Sequence, residues 1–334
     1  MRRRMNAAIL REWYPMSFAQ QVIGWQRKHG RHGLPWQGTR DPYRLWLSEV
    51  MLQQTQVSAV IPYYQRFLAK YPTVEALAAA SEEEVLQLWS GLGYYARGRN
   101  LHKAANEISR HGFPRTAEKI AELPGVGRST AAAIAAFAYG ERAAILDGNV
   151  KRVLARRYGV AEPGWELADR LLPRSGIEAY TQGLMDLGAT VCKRVPDCAT
   201  CPVKADCVAR KTGRIAELPA PRAKKALPWR QASWFVFFQD GKVLLERRPS
   251  SGIWGGLWCF PERRPAGCRL KAKLPVIEHG FTHFKLRIRP LLCSGGAQKS
   301  GFWMDLDDAQ RAAIPTPVKN LLHVLAGNRH ATRR

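Results

Sequence analysis

The sequence has no long apolar run. Its longest, Ala131 to Tyr139, reaches about half of the ~18 residues that a membrane-crossing helix needs. Acidic side chains are scarce, with 27 Asp and Glu against 52 Lys and Arg in 334 residues, for a formal net charge of +25. That imbalance points to a polyanionic partner, nucleic acid ahead of an anionic membrane surface. There is no internal repeat and no low-complexity tract. No secretory leader is expected: Met1-Arg2-Arg3-Arg4 has a basic start, but Ala7 to Leu10 is too short an apolar core before Arg11-Glu12. The expectation is a cytoplasmic chain. The seven cysteines are few and odd in number, and four of them crowd into Cys192 to Cys207 while Cys259, Cys268 and Cys293 are scattered. In a cytosolic chain that crowding favours a metal site over disulfides. With 46% hydrophobic and 10% aromatic residues the chain is ordinarily globular, and its length predicts two or three compact units. The last residues, His330 to Arg334, are expected to fray, and the extension Met1 to Pro15 offers only extra phosphate attraction.

The first two thirds read as helix after helix. Asp41-Pro42 is an N-cap followed by proline at the first helical position, opening a segment with Leu45, Leu47, Val50 and Met51 on its apolar side and Glu49 within it. Val57, Val60, Ile61, Tyr64, Phe67, Leu68 and Tyr71 recur at helical spacing, with Pro62 marking a kink or the true start. Ser81 and Glu84 form a capping box, for a helix ending at Gly91-Leu92-Gly93. Further helices are predicted over Asn100 to His111, Ala117 to Glu122, Ser129 to Tyr139 and Val150 to Tyr158. Between Gly213 and Trp229 the chain turns to a Pro-Ala-Pro and lysine-rich linker. Beyond it, Trp234 to Phe238 and Lys242 to Glu246 flank Asp240-Gly241, a hairpin signal. Phe284, Leu286 and Ile288 alternate with Lys285, Arg287 and Arg289 as a strand with one apolar and one cationic face. The last quarter is therefore α+β.

Four stretches carry chemistry. Cys192-x5-Cys198-x2-Cys201-x5-Cys207 supplies four thiolates, which suit zinc or an iron–sulfur cluster alike. Leu123-Pro124-Gly125-Val126-Gly127-Arg128-Ser129-Thr130 joins two helices by a glycine hairpin whose free N–H groups suit a phosphate. Asp147 stands just ahead of a helix start, where the helix N-terminus favours negative charge, and by itself it is more simply an N-cap. Glu49 instead lies among Trp46, Leu47, Val50 and Met51, where desolvation raises a carboxyl pKa. One charged and one protonated carboxylate is the division of labour for cleaving a glycosidic bond. Gln53-Gln54-Thr55-Gln56 has amides for base edges, Tyr94-Tyr95 can wedge between bases, and Arg97 and Arg99 nearby suit phosphate.

Together these residues resemble a known family. Leu34-Pro35-Trp36 and Trp46-Leu47-Ser48-Glu49-Val50-Met51-Leu52-Gln53-Gln54-Thr55-Gln56-Val57 look like the active-site helix of the MutY family, the adenine DNA glycosylases. Gly91-Leu92-Gly93-Tyr94-Tyr95-Ala96-Arg97, Leu123-Pro124-Gly125-Val126-Gly127, Leu146-Asp147-Gly148-Asn149-Val150-Lys151-Arg152 and the cysteines follow in family order. The resemblance implies an all-α helix-hairpin-helix core over 16–212, with a six-helix barrel over about 36–141 and an iron–sulfur subdomain made by the N-terminal helix and 142–212. A linker over 213–229 and a MutT-like α+β domain over 230–326 complete it. It implies a [4Fe-4S] cluster on Cys192, Cys198, Cys201 and Cys207, and a double-stranded DNA partner carrying adenine opposite 8-oxoguanine or guanine. Glu49 is then the general acid for adenine departure, Asp147 stabilises the sugar cation, and Asn149 orients that chemistry. Gln53 and Tyr94 enter the duplex near the 8-oxoguanine, and Gly125 to Gly127 grip phosphate. Gln54, Arg97 and Lys151 are further DNA contacts, and Thr282 and His283 read the 8-oxoguanine. The molecule is expected to be a monomer near the nucleoid.

Where the endonuclease III type carries a lysine nucleophile, this chain has Ser129, which cannot form an imine. The resemblance thus implies a monofunctional glycosylase, with Lys151 the remaining amine for trace trapping. Two departures stand out: Thr282 replaces the usual serine, and the first cysteine gap holds five residues in place of six. Gly256-x5-Glu262 resembles a nucleotide-hydrolase box, but no glutamate cluster follows to hold magnesium. The rivals are a bifunctional endonuclease III-like glycosylase and lyase, and a non-catalytic DNA-binding module.

Overall fold

The computed structural model describes residues 17–221, 226–296 and 301–331. The extension Met1 to Pro15, part of the linker and the final 332–334 lie outside the described residues. Contacts group the chain into two units, residues 1–64 with 107–223, and residues 65–106 with 224–334.

Residues 17–221 are helical, without a strand among those described. Short polar side chains start the helices by satisfying N-terminal N–H groups. Ser17 and Gln20 form a capping box for α1 (Phe18–His29), Asp41 caps α2 (Pro42–Leu52), and α3 (Val57–Lys70) carries Pro62 inside. Thr73 caps α4 (Val74–Ala79) and Ser81 with Glu84 caps α5 (Glu82–Trp89). The next helix, α6 (Ala96–His111), begins four residues before the expected Asn100, separated from the Gly-Leu-Gly turn by Tyr94 and Tyr95. Thr116 caps α7 (Ala117–Ile120), which stops two residues short of Glu122. Gly125 and Gly127 then lead into α8 (Arg128–Tyr139), whose alanines from 131 to 136 are all buried. Asp147 caps α9 (Gly148–Tyr158). After α10 (Trp165–Arg170) comes α11 (Ile177–Asp186), which runs without a break into a π-helical turn at Leu187–Val191, ending against Cys192. The core of the first of the two units joins Phe18, Val22, Ala132, Ile145, Leu146, Val150, Leu154, Tyr180 and Leu187. It places the starts of α8 and α9 beside α11. A short α12 (Val208–Lys211) closes the cysteine loop.

Beyond the linker lies a mixed sheet ordered β3-β2-β1-β6-β4, with β5 on β6 and β7 on β2. Asp240 and Gly241 have φ of 50° and 79°, the left-handed pair of a tight hairpin. They join β1 (Trp229–Gln239) to β2 (Lys242–Arg247), but the antiparallel pairing covers only Phe238–Val243 and Gln239–Lys242. The rest of β1 runs parallel to β6 (Lys285–Ser294), from Trp229 opposite Lys285 to Phe237 opposite Cys293. Short strands β3 (Trp258–Cys259), β4 (Arg269–Lys273), β5 (Ile277–Gly280) and β7 (Phe302–Asp305) complete the sheet. Leu286 and Ile288 of β6 are buried while Lys285 and Arg289 are exposed, as the alternation predicts. Two helices follow, α13 (Leu306–Arg311) and α14 (Thr316–Ala331). The latter continues to Ala331, past the point where fraying was expected.

Candidate active site

Glu49 stands on α2 and lines a cleft of about 530 Å³ together with Arg31, Trp36, Gln37, Leu52, Phe137 and Gln182. The neighbouring side chains Trp46, Leu47, Val50 and Met51 are buried. Burial pushes the Glu49 carboxyl from the ordinary 4.5 to about 8, and the negative charge of Asp147 adds to the rise. A proton therefore stays on Glu49 at neutral pH.

Asp147 does cap α9, its Oδ1 accepting from Val150 N at 2.8 Å. The cap and the proximity to Glu49 coexist, because the start of α9 is turned toward the acid. Ser129 fixes the approach: its Oγ accepts from Leu146 N at 2.9 Å, tying the first turn of α8 to the segment just before Asp147. Asn149 is held from below. Its Oδ1 accepts from Arg152 at 2.7 Å, and the same guanidinium donates to the carbonyls of Gly188 at 2.8 Å and Cys192 at 2.7 Å. A Cβ at Gly188 would lie 2.7 Å from the Asn149 Cβ, so only glycine lets the π turn approach α9 this closely. Lys151 is half-buried on α9.

Two cleft residues, Arg31 and Gln182, hold a buried acid that sequence reasoning did not single out. Asp186 is fully buried, pairs with Arg31 Nε at 2.6 Å, and accepts from Arg31 N at 2.9 Å and from Gln182 Nε2 at 2.8 Å. Arg31 and Asp186 are 155 residues apart, so no local pattern signals the pair.

In the hairpin, Gly125 has φ of 77° and Gly127 is the N-cap of α8 with no side-chain cap bond. The first-turn N–H groups of α8 are thus left for an outside acceptor. The Gln53 amide donates to Gly125 O at 3.2 Å and Thr130 Oγ1 at 3.5 Å, bracing α2 against the hairpin. Its neighbour Gln54 is exposed with φ of 56°.

Tyr94, in the second unit, is half exposed with φ of 48°. Left-handed backbone at a bulky residue costs about 1–3 kcal/mol and persists where surroundings impose it. Arg97 imposes part of it. This side chain is buried, donates to the carbonyls of Leu92 and Gly93, and lies over the rings of Trp89 and Tyr94 at 5.3 and 5.5 Å. The phosphate contact expected of Arg97 is therefore corrected to a strut, because the carbonyls of a turn lacking a regular ladder draw the guanidinium inward. Arg99 is likewise engaged, with Gly255 O at 2.7 Å. Thr282 and His283 are exposed at the β5–β6 turn. Phe281 and Phe284 close that turn by ring stacking at 4.4 Å and a 2.8 Å backbone bond, with Arg230 over Phe284 at 4.4 Å.

The four clustered cysteines line one cavity with Val153, Arg156 and Leu187. Arg156 donates to Cys192 Sγ at 3.5 Å and to the Lys193 and Arg194 carbonyls. Among the described residues no three side chains converge on a single-ion position. The thiols are spread around a space with an apolar wall and cationic support.

Residues 47–173 match the model of the HhH-GPD superfamily of base excision DNA repair proteins, and residues 233–324 match the NUDIX domain model. The adenine DNA glycosylase of Buchnera aphidicola subsp. Acyrthosiphon pisum is 35% identical, over 91% of this chain and 96% of its own. The chain belongs to the adenine DNA glycosylase family. The human adenine DNA glycosylase is 34% identical over 95% of this chain and 75% of its own length. Among solved structures, a thermostable thymine-DNA glycosylase superposes with a TM-score of 0.55 at 30% identity, covering 58% of this chain and 95% of that one. An endonuclease III–DNA complex gives 0.51 at 24% identity over 58% of this chain and 94% of that one, a likeness of fold. The helical core and the NUDIX-like domain of this family member thus agree with the fold expected from its sequence. None of its helices, among the described residues, is long and apolar enough to cross a membrane.

Proposed function

We propose that this protein is a monofunctional glycosylase that hydrolyses the N-glycosidic bond of adenine mispaired with 8-oxoguanine or guanine. The observation that carries this reading is the pairing of a proton-bearing Glu49, in a cleft large enough to admit a base, with the carboxylate of Asp147. Adenine, flipped out at a cost that mispairing lowers, enters the cleft. Glu49 gives its proton to the ring and makes adenine a better leaving group. Asp147, anchored by Val150 N and steered by Ser129 through Leu146, faces the positive charge that develops on the sugar. Water completes the hydrolysis.

DNA is held by the N–H groups at Gly125 to Gly127, with Gln54 and Lys151 as further contacts and Gln53 bracing the hairpin. In the second unit Tyr94 is the wedge, and Thr282 and His283 read the 8-oxoguanine. The spread of Cys192, Cys198, Cys201 and Cys207 around one cavity fits a group larger than a single ion, and a [4Fe-4S] cluster suits four such thiolates. Bound there, it supplies four iron–thiolate bonds that fix the basic loop. The molecule acts as a cytoplasmic, nucleoid-associated monomer. Ser129 supports hydrolysis without strand cleavage, and the test is base loss measured with and without alkali. Strand breaks without alkali support the lyase instead.

A further inference from the structure

Two hydroxyl groups of the second unit converge on one backbone carbonyl. Ser90 Oγ donates to the Ile314 oxygen at 3.0 Å and Tyr95 Oη donates to it at 2.9 Å. Tyr95 Oη also accepts from Gly91 N at 3.4 Å. Ser90, Gly91 and Tyr95 frame the turn whose apex is Tyr94, whereas Ile314 belongs to the NUDIX-like domain. The same two segments meet at Arg99 with Gly255 O at 2.7 Å, Gln87 with Arg311 O at 2.7 Å, and Trp258 Nε1 with Glu83 at 2.7 Å. A Cβ on Gly256 would come within 3.2 Å of Glu82 and 3.3 Å of Leu86, so the approach is close.

The turn needs such anchors. Gly91, Gly93 and Tyr94 all have left-handed backbone, with φ of 97°, 77° and 48°, and no ladder of regular hydrogen bonds fixes such a sequence of conformations. Trp89 Nε1 holds Gly93 O at 3.0 Å on one side. The Ile314 carbonyl, through Ser90 and Tyr95, holds the other.

We propose that Ser90 and Tyr95 are positioning residues through which the NUDIX-like domain keeps Tyr94 in its duplex-entering shape. Extrusion of adenine then depends on that domain even when its base-reading turn meets no 8-oxoguanine. This rests on the reading of Tyr94 as the wedge.

The test uses the full-length, cluster-loaded protein with Tyr95→Phe, Ser90→Ala and Ser90→Thr. Single-turnover excision is measured at saturating protein, and extrusion is followed by the fluorescence of 2-aminopurine in place of the target adenine. Loss of the Ile314 hydrogen bond at either site, together with the weak Gly91 bond at Tyr95, predicts excision and extrusion reduced about three- to tenfold, with duplex affinity within about twofold. The loss is equal for adenine opposite 8-oxoguanine and opposite guanine, and Ser90→Thr retains the parent rate. Thr282→Ala, in contrast, slows the 8-oxoguanine pair alone. Folded variants with a lower melting temperature but unchanged extrusion overturn the proposal, because the contacts then only join two segments. A loss confined to the 8-oxoguanine pair also overturns it. If Tyr95→Phe does not fold, Ser90→Ala against Ser90→Thr decides. Tyr94→Ala separates the failures: unchanged extrusion in that variant removes the wedge reading itself.

Discussion

Glu49 and Asp147 are two carboxyl groups in different settings, the first desolvated and raised to about 8, the second capping a helix, and their substitution effects separate accordingly. Glu49→Gln keeps the size and hydrogen-bonding reach of the side chain but removes the proton. Single-turnover excision is expected to fall about 10²–10⁴-fold with duplex affinity retained. Since the carboxyl titrates at about 8, excision by the parent protein should be level up to that pH and decline above it. The same shift shapes stability. The unfolded chain ionises Glu49 near 4.5 while the folded protein holds the proton to about 8, so folding takes up a proton in that window. The contribution is complete below about 4.5 and lost as pH rises through about 8, and Glu49→Gln should abolish this decline in chemical denaturation measured across pH. For Asp147→Asn the outcome differs: asparagine caps helices as well as aspartate does. Excision should be lost while the melting temperature barely moves.

At the level of elements, α9 and the π turn before Cys192 form one mechanical unit. Arg152 ties Asn149 to Gly188 and Cys192, and Gly188 has no room for a methyl group. Gly188→Ala should therefore displace the start of α9, destabilising the protein by about 1–3 kcal/mol as overpacking does. Excision should fall although no thiol or carboxylate has changed, and unaltered excision together with an unaltered melting curve would contradict the coupling. These elements also mark where the sequence stops being legible. Caps at Asp41, Ser81 and Asp147 and the turn at Asp240-Gly241 were readable because their chemistry is local. The desolvated setting of Glu49 was readable from its apolar neighbours. The π turn has no turn or cap signature, the Arg31–Asp186 pair joins residues 155 apart, and the parallel pairing of β1 with β6 is a long-range choice made by the buried faces of both strands. Arg97 was misread for a related reason: a cation beside a glycine turn suits a phosphate or the turn's own carbonyls equally until the backbone conformation is known.

For the molecule as a whole, a net charge of +25 makes binding to any duplex strong and salt-dependent through counterion release. Affinity alone is thus a poor guide to function. Raising salt from about 50 to 200 mM should weaken matched and mispaired duplexes together, by about 10³-fold or more if six or more phosphates are contacted. The preference for the mispair should survive, since the base reading we propose for Thr282 and His283 does not depend on released counterions. Equilibrium titration at two salt concentrations checks this, and a preference that vanishes with salt would assign recognition to charge alone.

The most direct measurement is single-turnover base excision from a duplex bearing adenine opposite 8-oxoguanine, beside adenine opposite guanine and adenine opposite thymine, each split with and without hot alkali. The account predicts adenine loss at the two mispairs only, strand breaks that appear mainly after alkali, and no adenine loss with Glu49→Gln. Tight binding without base loss, or excision untouched by Glu49→Gln, would contradict it.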